Sequence, residues 1–386
     1  MNSPVALSAP RIFDGEAWHD DAALVLDDDT VEGIVPVSGL DRGVERVDAG
    51  GGLLVPGFVD LQVNGGGGLM INDRPDIEAI RTICAAHAPF GTTALLVTLI
   101  TDTPEITAAT VAAGHEATRR KVPGFLGLHL EGPHLSISRK GAHDPALIRP
   151  MSDDDFARLV AARDGLTALL TTIAPETVGP ERIKALAASG IVVSLGHSDA
   201  SYRLAADAAA AGATMVTHLF NAMSPLANRE PGLTGAAIDT GALYCGLIAD
   251  GVHVDPAAIG IALRAKRGPA RIFLVTDAMA TIGTDMASFE LNGRTIFRKN
   301  GRLTLADGTL AGADLDMISA VRYINRTIGL ELDEALRMAS LYPARAMGVD
   351  KRHGRLRKGA AADMVHLGDG LDVRSVWIAG KRAFHA

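Results

Sequence analysis

The sequence has very little cysteine. Cys84 and Cys245 are the two cysteines among 386 residues, and each lies inside an apolar stretch. Two buried thiols are therefore favoured over a disulfide bridge or a cysteine metal site. This usage is typical of a protein that works in a reducing compartment, so we expect a cytoplasmic protein.

Long hydrophobic runs and an excess of positive charge are also absent. No run reaches the ~18 apolar residues of a membrane-spanning helix, and the N-terminus lacks the basic and apolar regions of a signal peptide. The net charge of -8 argues against nucleic acid or an anionic membrane as the main partner. A local basic pocket for a phosphate remains compatible with it. With 47% hydrophobic and 21% charged residues, the composition indicates a globular enzyme.

What the sequence does have is a regular alternation of apolar runs and alanine-rich helical stretches. Continuous apolar runs are typical of parallel strands buried on both faces. A count of eight favours an α/β fold with a closed (β/α)8 TIM-type barrel. The predicted barrel strands are residues 57–64, 92–98, 125–131, 168–174, 191–197, 215–218, 244–250 and 271–277.

The two ends of the chain have a different pattern. Residues 1–55 and 357–386 contain short β-like runs with turns between them and no helical periodicity. We expect them to form one small, discontinuous β-sandwich domain beside a catalytic barrel of residues 56–356. Within the barrel, turn dipeptides predict an inserted hairpin at residues 289–309, and helices are predicted at 316–328 and 332–339.

Four predicted strands end in polar residues that packing does not explain. Glu131 ends the third strand, His197 the fifth, His218 the sixth and Asp277 the eighth. The active site of a (β/α)8 barrel lies at the carboxyl ends of its strands. A satisfied polar group at a strand end would be the simpler interpretation of any one of them. Four at the ends of four strands favour a convergent site.

These residue types indicate metal-dependent chemistry. One carboxylate and two neutral imidazoles form a ligand set for a catalytic divalent ion, so we predict that Glu131, His197 and His218 bind one metal ion per subunit. Zinc is favoured, with iron, cobalt and manganese as alternatives. Asp277 is the predicted general base and then acid, taking a proton from water and giving it to a leaving amine.

Two further histidines follow predicted strands. His143 lies in the loop after the third strand and His253 in the loop after the seventh. A loop histidine is more often a solvated surface group, but the barrel face on which these two lie makes them candidates for substrate contacts.

The chain resembles the amidohydrolase superfamily and, within it, the deacetylases of N-acetylated hexosamine 6-phosphates. The likeness extends nearly end to end, including the closing segments 359–365 and 380–381. The motifs that carry it are Pro56 to Gly65, His129 to Pro133, Gly141-Ala142-His143, Gly196-His197-Ser198, Thr217 to Met223, Asp250 to His253 and Thr276-Asp277-Ala278.

The resemblance implies hydrolysis of N-acetyl-D-glucosamine 6-phosphate to acetate and the amino-sugar phosphate, in amino-sugar catabolism and cell-wall recycling. It implies the same roles for the metal ligands and Asp277, and it gives His143 the role of polarising the amide carbonyl. It also implies a homodimer in which Arg229 reaches the neighbouring active site. The residues implied to contact the sugar phosphate are Ala142, His143, Asn221, Ala222, Arg229, His253, Ala311, Gly312 and Ala313.

One departure from the wider superfamily bears on the number of metal ions. Many members have His-x-His at the end of the first strand, where this chain has Gln62-Val63-Asn64, and amides are poor zinc ligands. Glu176 follows the fourth strand, where a bridging lysine would be expected. We therefore predict one metal ion. An N-acetylgalactosamine-6-phosphate deacetylase, a dihydroorotase-like cyclic amidase and a catalytically inactive sugar-phosphate sensor remain alternatives.

Overall fold

The computed structural model describes residues 5–41 and 43–386. Its strands are, in chain order, β1 (Val5–Phe13), β2 (Trp18–Asp27), β3 (Thr30–Pro36), β4 (Glu45–Asp48), β5 (Leu53–Pro56), β6 (Phe58–Val63), β7 (Gly65–Gly66), β8 (Leu69–Met70), β9 (Thr92–Ile100), β10 (Phe125–Glu131), β11 (Ala168–Ile173), β12 (Val192–Leu195), β13 (Met215–Val216), β14 (Tyr244–Leu247), β15 (Ile272–Leu274), β16 (Ser288–Leu291), β17 (Arg294–Lys299), β18 (Arg302–Thr304), β19 (Leu310–Ala313), β20 (Met364–Leu367), β21 (Val373–Ile378) and β22 (Lys381–His385).

The α-helices are α1 (Ile77–His87), α2 (Pro104–Arg119), α3 (Asp153–Arg163), α4 (Pro180–Ala188), α5 (Tyr202–Ala210), α6 (Gly232–Asp239), α7 (Pro256–Ala265), α8 (Met317–Tyr323), α9 (Leu332–Ala339) and α10 (Leu341–Ala346). Short 3-10 turns span Val37–Gly39, Ala88–Phe90 and Ile137–Arg139, and a π-helical turn spans Ile324–Ile328. Several helices begin at a side chain that accepts a backbone N–H of the first turn, which satisfies a donor left open by the helix. These capping residues are Asp76, Thr103, Ser152, Ser201, Asp255 and Asp316.

The predicted (β/α)8 barrel is confirmed. Its eight parallel strands run in the order β15-β14-β13-β12-β11-β10-β9-β6. The backbone N–H of Asp277 donates to the carbonyl of Gln62 at 3.0 Å, and Val63 pairs with Ala278, so the chain after β15 meets the end of β6 and closes the barrel. All nine residues of β9 are buried, as expected of a strand covered on both faces.

Several barrel strands end earlier than predicted. β12 ends two residues before His197, β13 two residues before His218 and β15 three residues before Asp277. These three residues have positive φ angles of 46°, 30° and 51°, which no regular strand contains. The polar residues were therefore correctly associated with strand ends, but they lie in the first turn beyond them.

The inserted segment is larger than the predicted hairpin. β16 to β19 form a four-stranded antiparallel sheet from Ser288 to Ala313. The turns at Asn292-Gly293 and Asn300-Gly301 were correctly predicted and have positive φ at every residue. Antiparallel pairing is present as predicted, but β19 adds to β18, so the sheet extends beyond residue 309 and includes the segment 311–313.

The two ends of the chain form a separate small β domain, as predicted. β20 pairs antiparallel with β5, which in turn pairs parallel with β1, so both termini share one hydrogen-bonded eight-stranded sheet. Leu7, Ile12, Leu24, Leu54 and Met364 belong to the apolar cluster of this sheet. The exact boundaries at residues 55 and 357 remain predictions. No helix in the described part of the chain has the length and apolar character needed to cross a bilayer.

Candidate active site

Three candidate ligand atoms converge at the carboxyl end of the barrel. Glu131, the last residue of β10, places Oε1 3.2 Å from Nε2 of His197 and 3.2 Å from Nε2 of His218. The two Nε2 atoms lie 3.1 Å apart. Four ligands about 2.0–2.1 Å from a tetrahedral zinc ion lie about 3.3 Å from one another. The three atoms are therefore spaced as three corners of such a coordination shell.

Hydrogen bonds outside this cluster fix which nitrogen of His197 faces inward. Its Nδ1 lies 2.8 Å from the carbonyl oxygen of Arg139, which can only accept, so Nδ1 carries the proton. In the neutral ring Nε2 then carries no proton, and its lone pair can bind a metal ion. The buried Nδ1 of His218 has no partner among the described residues.

The electrostatics of the cluster favour a cation. Burial alone would raise the pKa of Glu131, but hydrogen bonds and charge from His197 and His218 hold the pKa well below its usual range. Burial alone would lower the pKa of His218, yet the contact with Glu131 raises this pKa. A buried carboxylate thus stays ionised beside two imidazoles, and positive charge between them is stabilised. The residues present fit a divalent ion.

His143 extends the cluster on the side of His197. One ligand atom each from Glu131, His143 and His197 lies within 4.8 Å of the others, and the rings of the two histidines are 4.4 Å apart. The backbone N–H of Thr101 donates to Nδ1 of His143 at 3.3 Å, so Nε2 carries the proton of the neutral ring. Burial holds the pKa of His143 well below its ordinary value. His143 is therefore arranged as a hydrogen-bond donor, whereas His218 fits the third ligand position.

A cavity of about 390 Å³ opens above these residues. Besides the candidate metal ligands, it is lined by predicted substrate contacts, namely Ala142, His143, Asn221, Ala222, His253 and Gly312. Ala311 and Ala313 lie on β19 and are buried, but they do not line the cavity. Arg229 does not line the cavity; it lies in an exposed loop, and its side chain forms no hydrogen bond or ion pair with residues 5–41 or 43–386.

Comparison with known proteins fits this geometry. A model of the amidohydrolase family matches residues 53–383, and a model of the NagA composite domain matches residues 5–54. The N-acetylgalactosamine-6-phosphate deacetylase of Shewanella sp. (strain ANA-3) is 45% identical over 87% of this chain and 84% of its own length. The N-acetylglucosamine-6-phosphate deacetylase of Haemophilus influenzae is 36% identical over 94% of each chain. A crystal structure of N-acetylglucosamine-6-phosphate deacetylase from Pasteurella multocida, 35% identical, superposes with a TM-score of 0.94 over 98% of this chain and 99% of its own.

The chain belongs to the amidohydrolase family. It is accordingly a hydrolase, of a family whose members depend on metal ions.

In this amidohydrolase the side-chain amides of Gln62 and Asn64, at the position of the His-x-His motif, form hydrogen bonds with two carboxylates of the site. Nε2 of Gln62 donates to both oxygens of Glu131 at 3.2 and 3.3 Å and to Oδ1 of Asp277 at 3.1 Å. Nδ2 of Asn64 donates to the same Oδ1 at 2.7 Å. The two amides therefore hold the two carboxylates in place with N–H groups, which cannot bind a metal ion.

Burial and the nearby Glu131 raise the pKa of Asp277 to about 6. Asp277 also anchors the inserted sheet, because its carbonyl accepts the backbone N–H of Ala313 at 2.9 Å. Arg294 of β17 donates from the other side to the carbonyl of Ala142. The inserted sheet is thus bonded to both Asp277 and the loop that carries His143.

Sequence reasoning missed several residues of the site. Arg139, Ile100, Met279, Leu291 and Leu310 also line the cavity, and Thr101 orients His143. The apolar members look like ordinary core residues in the sequence. The position of Arg139, eight residues after Glu131 and four before His143, was the one available signal.

Proposed function

We propose that this amidohydrolase removes the acetyl group of N-acetyl-D-glucosamine 6-phosphate, giving D-glucosamine 6-phosphate and acetate. The observation that carries the proposal is the convergence of Glu131, His197 and His218 beside Asp277 and the donor His143 in one cavity. The names of the full-length relatives and the matching crystal structure support this substrate class. A role in amino-sugar catabolism and cell-wall recycling in the cytoplasm is part of the proposal.

Glu131, His197 and His218 would hold one divalent ion, with zinc favoured for a site of two imidazoles and one carboxylate. A zinc ion bound there would lower the pKa of water to about 7 and supply a nucleophile at neutral pH. Gln62 and Asn64 direct amide N–H groups at the carboxylates, and amides are poor ligands for zinc, so we propose no second metal ion. Two tightly bound ions per chain, both needed for turnover, would contradict this part of the proposal.

The remaining residues handle protons and charge. Asp277 accepts the proton of the attacking water and then donates it to the nitrogen of the leaving amine. Nε2–H of His143 donates to the amide oxygen, where negative charge develops as the carbonyl carbon is attacked. Its neutral state is favoured by burial, which lowers the pKa of the ring.

Sugar and phosphate recognition would use the rest of the lining. Ala142, Asn221, Ala222 and the 311–313 segment are proposed to contact the sugar phosphate. His253, held by Asp250 at 2.7 Å, is proposed to contact the phosphate. Arg229 of the partner subunit would supply the planar guanidinium that binds phosphate oxygens in pairs.

A second candidate substrate is the C4 epimer, N-acetyl-D-galactosamine 6-phosphate. It is favoured by the 45% identity to the Shewanella N-acetylgalactosamine-6-phosphate deacetylase. The test is acetate release, measured as kcat/KM, from both epimers and from unphosphorylated N-acetylglucosamine. We expect the gluco 6-phosphate to give the highest value. A higher value for the galacto epimer would reassign the substrate, and no release from either would overturn the proposal.

A further inference from the structure

The segment 136–143 packs directly against the candidate metal ligand His197. The backbone N–H of Ser136 donates to the carbonyl of His197 at 2.8 Å, and the carbonyl of Arg139 accepts Nδ1–H of the same ring at 2.8 Å. A Cβ added at Gly141 would lie 3.2 Å from Cε1 of His197. The orientation of this imidazole therefore depends on where the segment lies.

An ion pair joins the segment to the turn that carries His197. Nε and Nη2 of Arg139 lie 2.8 and 2.7 Å from Oδ1 of Asp199, two residues after His197. Within the described chain, no other side chain of residues 137–141 forms a hydrogen bond or ion pair with a different segment. None of residues 137–141 is buried, and Ile137, their large aliphatic side chain, is 61% exposed, so apolar burial contributes little to holding these five residues in place.

The turn at residues 197–199 is held by Glu176, which follows the neighbouring strand β11. Glu176, which follows β11, accepts the backbone N–H of Asp199 at 2.7 Å through one carboxylate oxygen and the hydroxyl of Ser198 at 2.7 Å through the other. This contact gives Asp199 a fixed position despite its exposure. It also restrains the turn at His197, whose positive φ of 46° is a strained conformation for a residue with a side chain.

We propose that Arg139 and Asp199 are positioning residues for the metal site: their ion pair fastens the segment 136–143 so that the Arg139 carbonyl holds His197 with Nε2 toward the ion. Glu176 supports the same contact by fixing the turn. The inference rests on the proposed ligand set of Glu131, His197 and His218. Partners of this kind, one shell outside the ligands, typically change metal affinity by about 10- to 100-fold.

A positioning role can be separated from a purely structural one. An exposed ion pair adds little to folding stability, so loss of this pair should leave the unfolding temperature of the metal-free protein nearly unchanged. The side chains of Arg139 and Asp199 are 34% and 51% exposed. Metal affinity should change far more than stability, because a reoriented imidazole removes a ligand from the ion.

The experiment measures zinc affinity by competition with a chromophoric chelator in Arg139→Gln, Asp199→Asn, the double variant and Arg139→Lys. We expect zinc affinity to fall about 10- to 100-fold in each single variant. The double variant should lose no more than either single variant, because both substitutions break one contact. Arg139→Lys keeps the charge opposite Asp199 but loses the second N–H contact of the guanidinium, so its zinc affinity should lie between those of wild type and Arg139→Gln.

The pair formed by Arg182 and Asp153 offers a matched control. It joins α4 to the start of α3, outside the cavity lining, at 2.5 Å and with side-chain exposures of 32% and 97%. Arg182→Gln should bind zinc as the wild type does. Unchanged zinc affinity in Arg139→Gln and Asp199→Asn, or an equal loss in Arg182→Gln, would overturn the proposal. Zinc binding is measured without substrate, so a wrong substrate assignment would leave this result intact.

Discussion

The carboxylate of Asp277 receives hydrogen bonds from two amide side chains and faces a second buried carboxylate. Gln62 and Asn64 donate to its Oδ1 at 3.1 and 2.7 Å, while Glu131 opposes its ionisation. These contacts fix the position of Asp277 without coordinating anything. Gln62 and Asn64 therefore position the Asp277 carboxylate, while any proton transfer is left to Asp277 itself.

Asp277→Asn tests whether Asp277 transfers the proton. The amide keeps the shape of the carboxylate but cannot accept a proton, so kcat should fall about 10²- to 10⁴-fold. Zinc content, measured by elemental analysis after dialysis, should remain that of the wild type. A variant that keeps more than about a tenth of the wild-type kcat would show that another residue is the base.

Buried Asp60 should make the folding stability depend on pH. It is fully buried beneath the site, accepts the hydroxyl of Thr276 at 2.5 Å, and burial raises its pKa to about 7. The folded protein therefore binds a proton more tightly than the unfolded chain, whose Asp pKa is about 3.9. The stability contributed by Asp60 is full below pH ~4 and is lost as the pH rises through about 7.

Asp60→Asn should remove this dependence. Between pH 5 and 8 the wild type should lose about 2–4 kcal/mol more unfolding free energy than the variant, because one pKa unit corresponds to about 1.4 kcal/mol. Urea unfolding of the metal-free proteins at several pH values measures the difference. The exposed Asp20→Asn serves as the control, and parallel curves for Asp60→Asn and wild type would contradict the prediction.

The sequence predicted which polar side chains lie near strand ends, but it did not predict their hydrogen-bond partners. Glu131, His197 and His218 stand out because each ends an apolar run. The proton position on His197 depends on a main-chain carbonyl 58 residues away, and that of His143 on the backbone of Thr101. Every residue type has the same backbone groups, so no sequence pattern could predict either contact.

At the scale of elements, the inserted sheet bears on the active site at two points. Arg294 of β17 donates to the carbonyl of Ala142, and β19 bonds to the carbonyl of Asp277 through Ala313. Leu291 and Leu310 of the same sheet line the cavity. The sheet thus forms part of the cavity wall and also fixes the loop next to His143.

Arg294→Gln should weaken this attachment. A hydrogen bond that involves a charged group is worth about 1.5–3 kcal/mol, so kcat/KM for acetate release should fall by up to about 10- to 150-fold. Lys299→Gln is the matched control, because Lys299 lies on the same strand and is exposed. Equal values for the two variants would mean that the contact with Ala142 does not matter for turnover.

The turns of this sheet were predictable and its fourth strand was not. Asn292-Gly293 and Asn300-Gly301 have a local preference for positive φ, which the backbone adopts. β19 has the small residues Ala311, Gly312 and Ala313 and no alternating pattern. It is a strand because β18 and the turn at Asp277 offer it backbone partners.

At the scale of the molecule, the barrel and the terminal sheet follow from patterns that extend over many residues. Eight apolar runs and two β-rich ends were enough to predict both units. Subunit assembly has no comparable signal. The loop 225–230 is exposed throughout, Leu226 in it is 59% exposed, and Arg229 does not line the cavity of its own chain. These features suit a loop that reaches a neighbouring subunit.

Heterodimers of defined composition test whether Arg229 acts across the subunits. Differently tagged Arg229→Ala and Asp277→Asn chains are co-expressed, and the mixed dimer is purified. If Arg229 acts on the neighbouring site, one complete site forms and the dimer should have about half the wild-type activity on the 6-phosphate, as two-fold symmetry requires. A wild-type chain paired with an Arg229→Ala/Asp277→Asn chain should then be nearly inactive, because its intact Asp277 faces a partner without the arginine. The two mixed dimers exchange these outcomes if Arg229 serves its own subunit, and a fully active monomer would contradict the shared site altogether.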